Sequence, residues 1–591
     1  AIVNPLASAD YAKNRNKTYA VDPKLEIQYD FLGLDDTKHR LTYNGKVVMH
    51  VFNSYTDTYY PRDLTTEAWN ATGVSAGSSA SSKSLAFTTT HTLTFTPHFL
   101  NEDHAFMTMG RFQLVSGTSS DQSTSVHGLP HGIESPSAGG VLPGMSSGFG
   151  RWRSLYYTFS AHYAYKERYI FDVSARMDGT TKFGPSKRWN VFPAVSGRWN
   201  IVDEPWMEKT HKWLSMLSVR PGWGMVGNQP NQDYLYVNKL ASGGTYLGQP
   251  SMTPLNLKLN TLKMELKYTW NVGFDLGFWD NKITMDLNLY TQTTKDMLMA
   301  NFAIPHSTGF PVYSYRNAGD MNNKGWEFNI NTNKLVEKGK FSMDVNVTFA
   351  NNRNVIKKLD PTLLESLNKE WEPKNAVLLQ RVQIDNPFGA IYGYRCKGVY
   401  QYNYETYLNN DRASRSSRNP EAQAKARAFL EQFAANGSTA PLVYNANGEI
   451  IRDLRGDPLQ MRFNYSTTGT GYYEFKGGDA IYEDVNHDGN INQLDVVYLG
   501  NSLPKLTGGF GLKFYYGKWA LNAQFNYRVD YDVVNMARLN MESMSTNNNQ
   551  SQAVNYRWRK EGDITTIPRA MMESDKVANY NTMTSDRFVE D

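Results

Sequence analysis

Hydrophobic and polar residues alternate with period two in long paired segments. From Tyr268 one face carries Tyr268, Trp270, Val272, Phe274, Leu276 and Phe278, and the other Thr269, Asn271, Gly273, Asp275 and Gly277. After Asp280-Asn281 the return run puts Ile283, Met285, Leu287 and Leu289 on one side and Thr284, Asp286, Asn288 and Tyr290 on the other. Strict alternation over about ten residues predicts an antiparallel strand with two chemically different faces. The same grammar returns at Trp326, Phe328 and Ile330, then past Lys338-Gly339 at Phe341, Met343, Val345, Val347 and Phe349. It returns again on both sides of Gly517-Lys518, with Phe510 to Tyr516 before the turn and Trp519 to Tyr527 after it. Hairpins also read at 155–176 and 190–226, and less cleanly at 24–53 and 88–116. About seven hairpins predict roughly fourteen strands.

Strand length separates two architectures. Strands of soluble sandwiches run to about five or six residues, whereas about nine to eleven tilted residues cross a bilayer. The expected fold is all-β, a large antiparallel transmembrane barrel with apolar residues toward lipid and polar residues toward the lumen. Leu276, Leu287, Val345 and Leu521 are expected to face lipid, and Asp275, Asp286, Asp344 and Asn522 the lumen. Arg176, Arg220 and Arg528 fall on polar faces and are expected to line the lumen. A soluble β-rich adhesin or glycan-binding protein is the competing class. The turns inside hairpins are short, while 54–86, 117–150, 228–262, 352–385 and 402–480 read as long polar loops. Outer-membrane barrels show this asymmetry, with the long loops extracellular. Segment 117–150 is rich in Ser and Gly without periodicity and reads as loop. Inside the 402–480 insertion, Asn419 to Ala435 predicts a short helix, with Pro420 at its first position and Ala426, Phe429, Leu430 and Phe433 at helical spacing.

Composition agrees with this picture. Of 591 residues, 40% are hydrophobic and 13% aromatic, with 37 Tyr, 28 Phe and 13 Trp. Mean hydropathy is nevertheless −0.55. Many rings at negative hydropathy suit strands that are apolar on one face only, with aromatic girdles at both interfaces. No apolar run reaches the ~20 residues of a membrane helix. A net charge of +4 gives no argument for nucleic acid. The single cysteine, Cys396, makes neither a disulfide framework nor a cysteine zinc site. Ala1 to Leu6 lack a basic start and an apolar run, so they do not read as a signal peptide.

Several segments resemble signatures of the SusC/RagA family of TonB-dependent transporters. Arg168 to Pro185 leads into Arg188-Trp-Asn-Val-Phe-Pro-Ala-Val-Ser, followed by Trp199 to Met207 and Trp213 to Gln229. Tyr290 to Leu298, Asn322 to Phe328, Gly478 to Gly489 and Gly500 to Gly511 follow in the family order, over about 150–591. The resemblance implies an outer-membrane barrel of about 22 strands, plugged from its N-terminal side. It implies import driven through TonB and a SusD-like surface lipoprotein as lid, in a bacterium of Bacteroidota type. A dimer of such pairs is a further assembly it allows. The cargo would be a glycan or an oligopeptide. No plug-like segment is evident ahead of the strands, and the chain ends at Asp591 where relatives continue. Residues 1–591 are therefore expected to be barrel, incomplete at both ends. A passive porin-like channel is the functional alternative.

One motif carries chemistry. Asp484, Asn486, Asp488, Gly489, Asn490, Asn492 and Asp495 match the spacing of a twelve-residue calcium loop with Asp in the closing position. Asp484, Asn486 and Asp488 would offer side-chain oxygens. Asn490 would offer its carbonyl, Asn492 a direct or water-bridged contact, and Asp495 the closing carboxylate. The expected ion is a structural Ca²⁺; an Asn/Asp/Gly-rich turn without metal is the alternative. No nucleophile elbow, HExxH helix or P-loop lysine motif is present, and Gly508-Gly-Phe-Gly511 opens a strand pair rather than a βαβ unit, so no enzyme is expected. His162 and His306 read as exposed or satisfied side chains. Tyr392, Tyr394, Tyr400 and Tyr402 read as exposed loop aromatics that would stack on substrate or pack on a partner.

Overall fold

The computed structural model describes residues 10–591 except 34–37, 65–73, 131, 137–140, 255, 304–309, 311, 362–363, 365–381, 404–419, 422–423, 425–427, 429–430, 432–439, 455, 457, 465–471, 546–547 and 572–579. Its main sheet holds sixteen strand segments, of which fourteen form one path of successive neighbours. We label the path β1 (Lys13–Val21), β2 (Arg40–Tyr60), β3 (Ala76–Thr96), β4 (His104–His127), β5 (Val141–Tyr165), β6 (Tyr169–Thr180) and β7 (Trp189–Asn200). It continues with β8 (Leu214–Asn228), β9 (Glu265–Phe278), β10 (Ile283–Lys295), β11 (Gly319–Thr332), β12 (Phe341–Leu359), β13 (Leu506–Tyr516) and β14 (Trp519–Val529). Lys24–Leu32 continues β1 along the same edge of β2. The interruption is Asp22-Pro23, where Pro23 has no N–H to donate but its carbonyl still accepts from Met49 at 3.1 Å.

Fourteen rows agree with the hairpin count read from the sequence. The register also keeps the predicted faces together. Trp270 sits opposite Trp223 and Thr291, Phe274 opposite Val219 and Leu287, and Leu287 opposite Phe328. The tight turn after β9 takes three residues, Trp279, Asp280 and Asn281, into the left-handed region. Asp and Asn tolerate that conformation at modest cost.

Two loop expectations need correction. β4 and β5 pair from His104↔Tyr165 up to Ser125↔Gly144, so most of 117–150 is strand. β2 and β3 likewise pair out to Tyr60↔Ala76. Alternation fails there because polar residues occupy both faces, with Ser81 opposite Gln122 on one and Ser123 opposite Ser146 on the other. The ladder needs only backbone groups and continues without a hydrophobic pattern. In the predicted helix, Pro420, Glu421, Ala424, Ala428 and Glu431 are helical. Asn419, Ala426, Phe429, Leu430, Phe433 and Ala435, like His306, lie outside the described residues.

The chain divides into two compact units, residues 1–346 with 512–521, and residues 347–511 with 522–591. The second has its own core of Tyr394, Val443, Phe463, Phe475, Ile491, Tyr580 and neighbours. Short pairings frame it: Cys396–Val399 with Ala480–Tyr482, and Arg462–Asn464 with both Tyr472–Glu474 and Asn490–Ile491. At its centre the fully buried Asp479 accepts from the Arg569 guanidinium at 2.7 Å, from Tyr473 Oη at 2.7 Å and from the Lys476 N–H at 2.7 Å. Burial pushes this carboxyl up, and the Arg569 charge pulls it back. Removing one partner of such a pair leaves a buried charge without compensation. Arg569→Met should destabilise this unit by about 3–5 kcal/mol. The check is a lower melting temperature and faster proteolytic cleavage within 440–500, where unchanged values would count against the pair.

Candidate functional site

The main sheet of the first unit is inside out relative to a soluble protein. Its polar face is the less exposed of the two and its apolar face the more open. Ser218 is 0% exposed and Asp275 9%, whereas Trp270 is 61% exposed and Phe159 53%. A soluble sheet would reverse these values.

On the covered face Asp275 is held by a fork from Arg220 at 2.8 and 2.7 Å, by Ser218 Oγ at 2.9 Å, and by Arg198 at 3.5 Å. Asp286 sits directly opposite Asp275 and takes amide donors instead, from Asn288 at 2.8 Å and Asn329 at 3.1 Å. Two facing carboxylates repel, so each being separately satisfied keeps the row intact. Arg176 forks onto Asp178 on the same face, both contacts at 2.6 Å, and His162 meets Asp172 at 2.6 Å. The alternation thus put Arg176, Arg220, Asp275 and Asp286 on one polar surface. Asp344 accepts from the Lys334 N–H at 2.5 Å. Leu521 and Asn522 are both exposed, as is most of β14, so exposure does not separate its faces.

The apolar face has aromatic residues at two levels. Near the short turns Tyr165, Tyr169 and Trp199 stack in series at 6.4 and 6.5 Å, and Trp213, Phe278 and Trp279 follow at 6.0 and 5.9 Å. Farther up, Phe112, Tyr157 and Trp189 approach at 5.3 and 6.4 Å, and Trp223 meets Trp270 at 6.0 Å. Eight residues separate Tyr157 from Tyr165, and eight separate Trp270 from Phe278.

The register supplies a tilt. One row of partners runs Leu41, Phe95, Thr108, Ala161, Val173, Val195, Trp223, Trp270. Leu41 is one residue from the short-turn end of β2, whereas Trp270 is eight from that end of β9. The stagger is one residue per strand, which at ~3.3 Å rise and ~4.8 Å spacing means strands tilted by about 35°. Eight residues then climb about 22 Å, close to the ~25 Å apolar band of outer-membrane barrels.

The tyrosines expected in exposed loops are mostly elsewhere. Tyr392, Tyr394 and Tyr400 are buried in the core of the second unit, and Tyr402 is half-buried against it. Tyr394 Oη donates to the Asn492 carbonyl at 3.0 Å, and Tyr400 packs on Phe475 at 5.3 Å. Rings so enclosed have no face for a sugar or peptide. Polar flanking sequence suggested exposure, but the core partners lie up to about 190 residues away in sequence, beyond the reach of local pattern.

The segment 484–495 folds as a chain of side-chain turns. Asp484 accepts from the N–H groups of Asp488 at 3.2 Å and Gly489 at 2.8 Å. Asp488 accepts from the Asn490 N–H at 2.7 Å and the Asn486 amide at 2.9 Å. Asp495 accepts from the N–H groups of Val485 at 2.9 Å and Asn492 at 2.8 Å. Gly489 has φ +81°, and a side chain there would strike Val443 at 2.7 Å. Burial raises Asp484, with like charge from Asp488 adding to it. Burial pushes Asp495 up to about 6, reinforced by Asp484 and Asp488. The three carboxylates therefore sense one another. Among the described residues, however, they are not drawn together as a closed ligand group.

Residues 3–370 match the family described as TonB dependent receptor-like, beta-barrel. "TonB-dependent receptor P39" of Formosa agariphila is 27% identical over 430 residues, covering 71% of this chain and 37% of that protein. "TonB-dependent receptor SusC" of Bacteroides thetaiotaomicron is 33% identical over 208 residues, 34% of this chain and 20% of that one. The structure of the RagAB peptide transporter superposes with a TM-score of 0.70 at 16% identity, over 99% of this chain and 55% of that chain. The chain thus spans little more than half of the solved relative, and less of the two sequence relatives. The family consists of outer-membrane transporters and not enzymes, and the fold is a large antiparallel transmembrane barrel. With more than half of its length inside the family match, the chain belongs to the TonB-dependent receptor β-barrel family and is SusC/RagA-like within it.

Proposed function

We propose that the native protein is the membrane wall of an energised importer for a large nutrient, a glycan or an oligopeptide, working with a SusD-like lipoprotein lid. The observation that carries this reading is the inside-out sheet with its two aromatic levels, in a chain of this family. A wide polar lumen left open would leak, so it needs a plug, and plug release needs energy delivered from elsewhere. On the side away from the short turns, β2 to β5 extend well past the upper aromatic level; β5 continues sixteen residues beyond Tyr157. We assign that side to the cell exterior, where such extensions offer area for a lid. Stable recognition of a lid would bury more than about 1,000 Å². Of the relatives named above, RagAB is called by its cargo, as a peptide transporter.

Uptake by cells expressing the native protein should vanish when TonB is depleted. A passive channel would keep transporting, and that result would replace the importer reading. Purification from native membranes in mild detergent should bring down a surface lipoprotein in about equal amount; its consistent absence would remove the lid.

We also propose a structural Ca²⁺ at 484–495, bracing the second unit. Support comes from the spacing of Asp484, Asn486, Asp488, Asn490, Asn492 and Asp495, and from the mutual repulsion of the carboxylates, which a cation would relieve. Without metal the sign is fixed by the raised Asp495: its ionised form is disfavoured in the fold, so stability is gained as pH falls through about 6 and lost as pH rises through it. With 2 mM Ca²⁺ and an affinity typical of extracellular modules, the ion would add about 1–2 kcal/mol. Melting curves should therefore separate between Ca²⁺ and chelator, and Asp484→Asn should merge them. Coincident curves for the unaltered protein would leave a metal-free turn.

A further inference from the structure

β5 rises past its neighbour. Its ladder to β6 ends at Ser154↔Thr180, while its ladder to β4 runs on without a shift to Ser125↔Gly144. At the junction the Arg153 N–H donates to Thr181 Oγ1 at 2.9 Å, and the Arg153 carbonyl accepts from the Thr181 N–H at 3.0 Å. Both main-chain groups of Arg153 therefore point away from β4. In a regular antiparallel strand alternate residues point the same way. The N–H and C=O groups of Arg151, Phe149, Ser147 and Met145 then form an open edge, and none of them is hydrogen-bonded among the described residues. The stretch is uncovered. Met145 is 73% exposed and Phe149 68%, and Ser146, Ser147 and Gly148 are exposed as well.

Open edges invite other strands, and proteins blunt them with charge, proline or a bulge. β1, at the far side of the same extension, carries Lys13, Arg15 and Lys17. From Gly144 to Gly150, β5 has no charged residue, no proline and no bulge. Alternation with the buried Ser154 places Ser146, Gly148 and Gly150 on the lumenal face, so only small residues stand there. A second feature lies beside Gly150, where a Cβ would come within 3.3 Å of Asp233 Oδ2. Oδ1 of the same carboxylate is buried without a hydrogen-bond partner, and Asp233 forms no ion pair among the described residues. A negative charge thus stands uncompensated at the lower end of the open edge, on its lumenal side.

We propose that the open edge of β5 is a cargo site that takes an extended oligopeptide by strand addition, antiparallel to β5, with the peptide's amino terminus at Asp233. The proposal rests on the importer reading above and narrows its cargo to peptides. Met145, Ser147, Phe149 and Arg151 each offer one donor and one acceptor, enough for a partner of about seven residues. Direction follows from charge. β5 descends from Met145 to Arg151, and Asp233 stands at the lower end, so a chain that starts there runs upward. In sites of this kind main-chain bonds supply affinity, and pockets for alternate side chains supply selectivity. Ser146, Gly148 and Gly150 build no pocket. The site therefore reads backbone and amino terminus, and it tolerates varied sequence. An uncharged glycan presents neither amide donors at strand spacing nor an ammonium group.

The test uses the native protein in mild detergent and a heptapeptide of alanine and threonine with a free amino terminus, with binding read by calorimetry. Methylating one alternate set of the peptide's amides should weaken binding by about tenfold or more, and methylating the other set should change it little. Acetylating the amino terminus and Asp233→Asn should each cost about tenfold, and together no more than either alone. Ser147→Pro removes one edge donor and leaves the ladder to β4 intact, so it should fold and still bind less tightly. A peptide that fails to bind, or that binds equally well with either set of amides methylated, would overturn the proposal. A fall in oligomeric state with Ser147→Pro would also overturn it, by giving the edge to a second copy of the chain. TonB depletion keeps the two readings apart. Uptake that still depends on TonB, with no effect of Asp233→Asn or of methylation, loses only this inference, whereas uptake independent of TonB loses the importer.

Discussion

Everything in the main sheet follows from one constraint. In hydrocarbon no water is available to take an unpaired peptide N–H or C=O, and each orphan costs several kcal/mol. A segment without an apolar helix can meet that demand only by pairing every strand with the next. The fourteen successive neighbours do so. Once the backbone is satisfied by the ladder, the side chains are free to divide by face. The inverted burial, with Ser218 covered and Trp270 open, is a direct consequence. The polar face then needs its own internal settlement, and the Arg220–Asp275 fork with Ser218 provides it beside a facing Asp286 that uses amides alone.

The sheet was legible because its chemistry is local. Residues two apart share a face, so a run such as Trp270, Val272, Phe274 and Leu276 declares its own environment. Strand count and facing of Asp275 and Leu276 could be read without knowing any partner. The outer reaches of β4 and β5 could not. Where neither face meets lipid, Ser119 to Ser125 carries no alternation, and only the uninterrupted ladder with Gly144 to Gly150 identifies it as strand. Pattern reading fails there for the same reason it succeeds lower down: it reports the surroundings of side chains and not the pairing of backbone.

The second unit shows a different limit. Its core joins Tyr394, Phe463, Phe475 and Tyr580, each on or beside a separate short element. None of these elements is long enough to show a period, so the tyrosines looked like loop residues. Their burial gives the 484–495 segment its setting. Ile491 is sealed into the core, Tyr394 holds the Asn492 carbonyl, and the Gly489 carbonyl accepts from the Arg462 N–H at 2.8 Å. The motif spacing was visible in the sequence. Its role as a joint between strands of this unit was not, because it depends on Val443 and Arg462, both distant in sequence.

The two units are held together in different ways. The sheet of the first solves the hydrocarbon problem with regularity, and so uses alternation, stagger and repeated short turns. The second is built on irregular backbone whose buried polar groups are paired; Asp479 with three donors is the extreme case. A cation at Asp484, Asp488 and Asp495 would belong to that second logic. It would tie a segment too short for a hydrophobic period by charge instead of by apolar burial. Regular elements tolerate a bare position such as Gly110 on β4, where a Cβ would meet nothing within 4 Å, since the ladder beneath it is intact and the ambient lipid can fill the gap. The second unit has no such reserve, and at Gly489 the neighbouring Val443 leaves no space for even a methyl group.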